Sequence, residues 1–201
     1  MPSVALTTWQ GDRQVRLARV EAACLALMPP GHAFPAMGIA APSPAVSPLA
    51  EESLQGFVML LSGHFQGFCR DLFTECTQAC TAVVPPGLAT TAQAQFAAEL
   101  KLNSMNPTVE TIRKDFERFG FLLDLPGADP ANPARITQLG HLNYWRNAIA
   151  HQKATPSPRS MPTTPNLSNA QSWRMACDGL AESLVDIMGR ELQRILGVPP
   201  W

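Results

Sequence analysis

Residues 51–84, EESLQGFVMLLSGHFQGFCRDLFTECTQACTAVV, constrain the fold more than any other stretch of this chain. Phe57, Leu61, Phe65, Phe68, Leu72 and Cys76 recur at spacings of three and four, which puts them on one face of a helix. At 1.5 Å per residue such a helix is roughly 50 Å long, and Pro85-Pro86 end it. One helix of that length cannot bury its own apolar stripe, so other helices must run beside it.

Those helices are legible between the prolines. Residues 8–28 read as a helix with Gly11, Val15, Ala18, Ala22 and Leu25 on one face and Arg13, Arg16 and Arg19 largely elsewhere; Pro29 and Pro30 stop it. A shorter helix is expected at about 91–102. In NPTVETIRKDFERFG, 106–120, Asn106 reads as the N-cap, Pro107 as the first helical residue and Gly120 as the stop. A helix is expected from about 134 to 152, and a last one from Ser168 or Asn169 to Gly197 and Pro199. Most of the nineteen prolines lie between these segments. Residues 29–49 and 154–167 read as long loops, and 124–133 as a shorter one. No strand and no repeat is evident. The expected architecture is all-α, a single-domain bundle over 1–201.

Composition limits the function classes. Hydrophobic residues make up 46% and charged residues 15%, which supplies a core and argues against global disorder. A formal charge of −1 gives no global positive field, so nucleic acid would have to meet a local patch. No apolar run is long enough for a membrane span, and the first residues lack the basic-then-apolar pattern of a signal peptide. Five cysteines without framework spacing fit a reduced, cytoplasmic chain. Cys69, Cys76 and Cys80 share a side with Phe65, Leu72 and Val83, which reads as a buried stripe better than as a metal site. His64 reads as a structural histidine, and neither His32 nor His141 has ligand-type neighbours. Arg13, Arg16 and Arg19 fit a solvated helix face, with phosphate contact as the sharper alternative.

The segment WRNAIAH, 145–151, fits ordinary core poorly. Leu139, Leu142, Trp145 and Ile149 fall on the core side of its helix. Asn143, Asn147 and His151, spaced by four, make a polar stripe with Tyr144 beside it. Arg146 lies at the border. A guanidinium turned partly inward needs a carboxylate, a phosphate or several carbonyls, and Asp71 or Glu75 of the long helix is a candidate partner. Asn147, one turn before His151, is placed to bond the imidazole and set its orientation. Arg146 and His151 stand about 140° apart around the helix, so one chain does not aim both at one point. Two copies related by a two-fold axis bring both pairs to one cleft, which favours a homodimer. The plain alternative is a polar helix end with an Arg–Asp pair. Tyr144 is also placed to stack on a base.

RNAIAH resembles the hallmark of the HEPN family (higher eukaryotes and prokaryotes nucleotide-binding domains): Arg, usually Asn, a short spacer, then His. More particularly, the chain resembles the RiboL-PSP-HEPN-like nucleases. The helix around HFQGFCRDL (64–72), the 106–120 segment and a closing helix with Trp173 near its start agree in pattern. The resemblance implies a HEPN-like bundle with long proline-rich loops and a metal-independent endoribonuclease working as a homodimer without cofactor. It also implies a toxin or phage-defence setting, with RNA as substrate and an antitoxin or defence protein as a possible partner. Arg146 and His151 would then be catalytic, with Asn147 orienting them; Asn143 and Tyr144 would contact RNA. Where related sequences often carry an acid, this chain has Gln66, which cannot neutralise an arginine, so Asp71 becomes the expected charge partner of Arg146.

The chemistry suits those residue types. The ribose 2′-OH loses its proton and attacks the adjacent phosphorus, and the 5′ oxygen leaves with a proton, giving a 2′,3′-cyclic phosphate and a 5′-OH. Histidine can serve as base or acid near neutrality, and the arginine fork matches phosphate oxygens. DNA lacks the nucleophile. The competing class is a catalytically silent HEPN module that binds RNA, nucleotide or a protein partner.

Overall fold

The computed structural model describes residues 2–27, 47–151 and 165–201, and among them every regular element is helical. The N-terminal helix α1 (Val4–Thr8) begins earlier than its apolar pattern indicates. Ser3 caps it, and the Glu75 carboxylate accepts from Val4 N at 2.8 Å, Ala5 N at 3.0 Å and Ser3 Oγ at 2.8 Å. One acid from a neighbouring helix thus satisfies the orphan N–H groups of the first turn. A π turn at Trp9–Arg13 follows, and then α2 (Gln14–Ala26).

The face that α2 buries is not the one predicted. Trp9, Leu17 and Cys24 are buried, whereas Val15 and Leu25 are 49% and 50% exposed, and Gly11, Ala18 and Ala22 are exposed with them. The buried face is mixed, because its polar members find partners. Arg174 donates to Gln14 Oε1 at 2.7 Å and to Glu21 Oε2 at 2.5 Å, and Gln171 donates to Glu21 Oε1 at 2.6 Å. Arg13, expected on a solvated face, turns inward instead. It pairs with Asp71 and donates to the His64 carbonyl at 2.5 Å, lying where a side chain at Gly67 would have to be.

The long helix α3 (Pro48–Thr81) carries the predicted stripe, with Phe57, Leu61, Phe65, Phe68, Leu72 and Cys76 all buried. Ser47 Oγ caps it by accepting from Ala50 N at 3.2 Å, so residues 47–49 open the helix instead of closing the proline-rich loop. Residues 29–46 and 154–164 of the two expected loops lie outside the described residues.

Helix α4 (Pro86–Ala97) sits about five residues before the predicted 91–102. It stops because the chain beyond it is captured. Arg118 donates to the carbonyls of Phe96 (3.0 Å), Ala98 and Glu99 (3.1 Å). The buried Asp115 accepts from Lys101 N and Leu102 N at 3.0 and 2.8 Å, drawing Leu102 into the core through a 3₁₀ turn at Lys101–Asn103. Helix α5 (Val109–Phe116) is capped by Thr108 and not by Asn106: Thr108 Oγ1 accepts from Thr111 N at 3.1 Å, and Pro107 precedes the helix. A 3₁₀ turn at Glu117–Phe119 continues it to Gly120, whose φ of +88° makes the predicted stop. Within 124–133 a short helix α6 (Leu125–Ala128) is capped by Asp124. Helices α7 (Asn132–Ala150) and α8 (Leu167–Leu196) pack along each other and against α3. Asn166 caps α8, two or three residues before the predicted start, and Gly197 closes it at φ +75°.

Two aromatic groups mark the core. Trp9 meets Phe65 and Phe68 with ring centroids 5.8 and 5.7 Å apart, and Phe73, Phe116, Phe119 and Phe96 form the second group. Cys24, Cys69, Cys76 and Cys177 are buried free thiols and Cys80 is half-buried; burial pushes the ionisation of all five upward. The stripe of Cys69 and Cys76 is therefore core, while Val83 lies past the helix end and is exposed. Among the described residues, no helix is long and apolar enough to cross a membrane.

One acid at the α2–α8 contact carries a testable consequence. Asp178 Oδ1 accepts from Trp9 Nε1 at 3.0 Å and from Gln14 Nε2. Burial pushes its carboxyl up to about 6, with Glu182 adding to the rise and the Trp9 bond and Arg174 opposing it. A folded-state value above the unfolded 3.8 means that the folded protein holds this proton after the unfolded chain has lost it. Asp178 therefore removes stability as pH rises between those two values, and its cost is complete above about 6. Asp178→Asn keeps the acceptor oxygen and removes the charge. Urea midpoints across this window should lose part of their downward slope in the variant, and near neutrality the variant should be the more stable protein. A variant midpoint below that of the wild type at pH 7–8 would assign the carboxylate a net stabilising role.

Candidate functional site

The RNAIAH segment occupies the last turn and a half of α7 and ends at its C-cap, His151. Leu139 and Leu142 are buried, and Trp145 and Ile149 pack against the core from half-buried positions, as their helical phase predicts. That anchoring turns the opposite side of the turn outward. Asn147 and His151 are exposed, and Arg146 is half-buried between them and the core.

The polar contacts converge on a single atom. Asn147 Oδ1 accepts from Asn106 Nδ2 at 2.8 Å and from Arg146 Nη1 at 3.1 Å. Two N–H donors at one oxygen define which way this amide points. The oxygen expected to orient the imidazole is therefore engaged with Arg146 and Asn106. The bond from residue 151 back to residue 147 is a backbone one, His151 N to Asn147 O at 3.0 Å.

The expected charge partner of Arg146 is placed elsewhere. Asp71 pairs with Arg13 across the α2–α3 contact, and Glu75 caps α1. Among the described residues, Arg146 forms no ion pair. Its guanidinium lies instead on the Asn147 amide oxygen. Gln66 also does something other than bond an arginine: Nε2 donates to Leu102 O at 2.6 Å and to Met105 O at 2.9 Å. It holds the segment that ends in Asn106, so it supports the site from one step away.

Asn143 departs furthest from its predicted place. Only 4% exposed, it donates from Nδ2 to Pro107 O at 3.2 Å, so it faces the segment between the 3₁₀ turn and α5 instead of solvent. A buried amide cannot reach RNA without leaving the core, which removes Asn143 from the binding residues. Tyr144 is half-buried with its ring edge-on to Trp145, centroids 5.5 Å apart. His64 is not brought to the α7 end. It lies on the α2 side of α3, where burial, and secondarily Arg13 and Arg16, hold its imidazole below the usual histidine range.

No family model, curated protein or solved structure matches this chain.

The residues of this site make a polar unit. A guanidinium and an imidazole stand at one helix end, the first held by an amide and the second exposed to solvent. The guanidinium supplies a planar cationic fork for an anion, and the imidazole supplies a proton donor or acceptor. Sequence reading missed Asn106 as part of this unit. An Asn-Pro pair ahead of an amphipathic run carries the signal of a helix cap, and nothing local tells a cap from an amide that reaches another helix.

Proposed function

We propose that this chain is a metal-independent endoribonuclease of the HEPN type. Arg146 and His151 act on the scissile phosphodiester, and Asn147 holds the arginine. His151 moves the proton of the 2′-OH or of the leaving 5′ oxygen. Arg146 neutralises charge on the phosphoryl oxygens as the five-coordinate transition state forms. The products are a 2′,3′-cyclic phosphate and a 5′-OH. Two α7 ends in a homodimer would face one RNA strand, supplying two histidines for the two proton transfers. A toxin or phage-defence role in the cytoplasm, with an antitoxin or defence protein as partner, follows from the family resemblance.

The observation that carries this reading is the exposed α7 terminus. It places Arg146 and His151 within one turn and a half of a helix anchored on the core, with the guanidinium held by a neutral amide. An arginine held by a carboxylate would be partly neutralised; one held by an amide keeps its full charge for a phosphate. A second reading has one observation in its favour. Asn147 grips Arg146 and Asn106 instead of orienting His151, which suits a catalytically silent module that uses the arginine to bind RNA, nucleotide or an acidic protein partner.

The test is cleavage of end-labelled single-stranded RNA in EDTA beside a DNA of the same sequence. RNA-only cleavage that EDTA does not stop, ending in cyclic phosphate, is the expected result. RNA binding without cleavage would select the silent module.

A further inference from the structure

We propose that Asn106 is a positioning residue for Arg146, acting across two elements through the side chain of Asn147. Its relevance to cleavage rests on the ribonuclease reading above; the contact itself does not.

Asn147 is exposed, and an exposed side chain holding an adjacent arginine by one hydrogen bond is free to rotate away. Asn106 removes that freedom. By donating from Nδ2 at 2.8 Å to the oxygen that also accepts from Arg146, it keeps the oxygen aimed at the guanidinium and so fixes where the cation rests. The Asn106 side chain is available for this because the capping of α5 falls to Thr108.

Asn106 can hold a position only if its own backbone is held, and residues 101–107 are tied to three helices. Asp115 of α5 takes Lys101 N and Leu102 N, Gln66 of α3 takes Leu102 O and Met105 O, and Asn143 of α7 takes Pro107 O. Irregular backbone against a core must find partners for its polar groups. Here the partners come from the frame of the bundle, so Asn106 is fixed to that frame. The Asn106–Asn147 bond consequently ties the outer side of α7 to α3 and α5. Misplacing a charge that acts on a transition state lowers turnover more than it lowers ground-state binding.

The experiment is a double-mutant cycle of Asn106→Ala and Asn147→Ala, with kcat and KM measured on the same RNA in EDTA and the Arg146 guanidinium followed by nitrogen NMR. Thermal midpoints report folding, and Asn106→Leu repeats the measurement with the shape nearly kept, no charge added and the donor removed. Asn106→Ala and Asn106→Leu should each lower kcat about 10-fold with KM little changed, about the worth of one hydrogen bond. The double variant should be no slower than Asn147→Ala, and the guanidinium signal of Arg146 should become mobile in all of them. Losses that multiply in the double variant, a change in KM alone, wild-type turnover in Asn106→Leu, or an unchanged Arg146 signal would each overturn the proposal. A wild type that cleaves no RNA would sink the ribonuclease reading and leave the NMR arm to decide. Mobilised Arg146 then supports the positioning role, and unchanged Arg146 removes it.

Discussion

His151→Ala should abolish RNA cleavage while leaving the fold intact. Removing a general acid or base typically costs 10²–10⁴-fold, roughly the full dynamic range of a gel assay. His151 is exposed, and its bond to Asn147 is through backbone, which alanine keeps; stability should move by less than about 0.5 kcal/mol. Arg146→Ala should cost about 10²–10³-fold, the range for losing one transition-state charge stabiliser. Arg146→Lys should not restore the rate, because an ammonium lacks the planar fork that reaches a phosphate while resting on Asn147. Single-turnover cleavage in EDTA, with far-UV circular dichroism as the folding control, reads all three. Wild-type cleavage by His151→Ala would mean either a contaminating nuclease or a chemistry in which this imidazole takes no part.

Trp9→Ala should be among the most destabilising single substitutions in the described residues. Trp9 is buried, its ring packs on Phe65 and Phe68, and its Nε1 donates to Asp178. Large aromatic-to-alanine changes in a core cost about 3–5 kcal/mol, a large part of the typical total stability of 5–15 kcal/mol. Trp9→Phe separates the contributions. It retains most of the ring packing and loses the N–H, so the expected loss falls to about 1–2 kcal/mol. Urea midpoints by circular dichroism give both numbers. A shift below about 1 kcal/mol in Trp9→Ala would show that α1 and the π turn unfold independently of α3.

How far the sequence reported this arrangement depends on what carried each signal. The stripe on α3, the anchoring of Leu139 and Leu142 and the glycine stops at Gly120 and Gly197 were all legible, because each depends on local spacing or local backbone conformation. The face of α2 was misread because apolar content was taken as burial. Glu21 and Gln14 are satisfied by Arg174, a residue far away in sequence, and that pairing lets a polar edge pack inward. The end of α4 was missed for the same reason, since Arg118 and Asp115 act on it from α5 and the turn after it. At the candidate site, helical phase put Asn147 and His151 on one polar stripe of α7 with Arg146 at its border. Phase could not say that Asp71 would be claimed by Arg13, that Asn143 would turn to Pro107, or that Asn106 would arrive from another element. Each of those outcomes is a competition among distant polar groups for partners, which one-dimensional spacing does not encode.

The state of the five thiols has a use in deciding whether two α7 ends meet. Four are enclosed by the core, and burial raises the ionisation of all five, which disfavours the reactive thiolate. A cysteine placed on the solvent side of α7, at Thr137 or Gly140, would then be the fastest site for a spin label or dye, with only half-buried Cys80 as background. The same preparation would report a distance between copies if a dimer forms and a single unpaired label if it does not, so the native chain serves as its own cysteine-light background for spectroscopy.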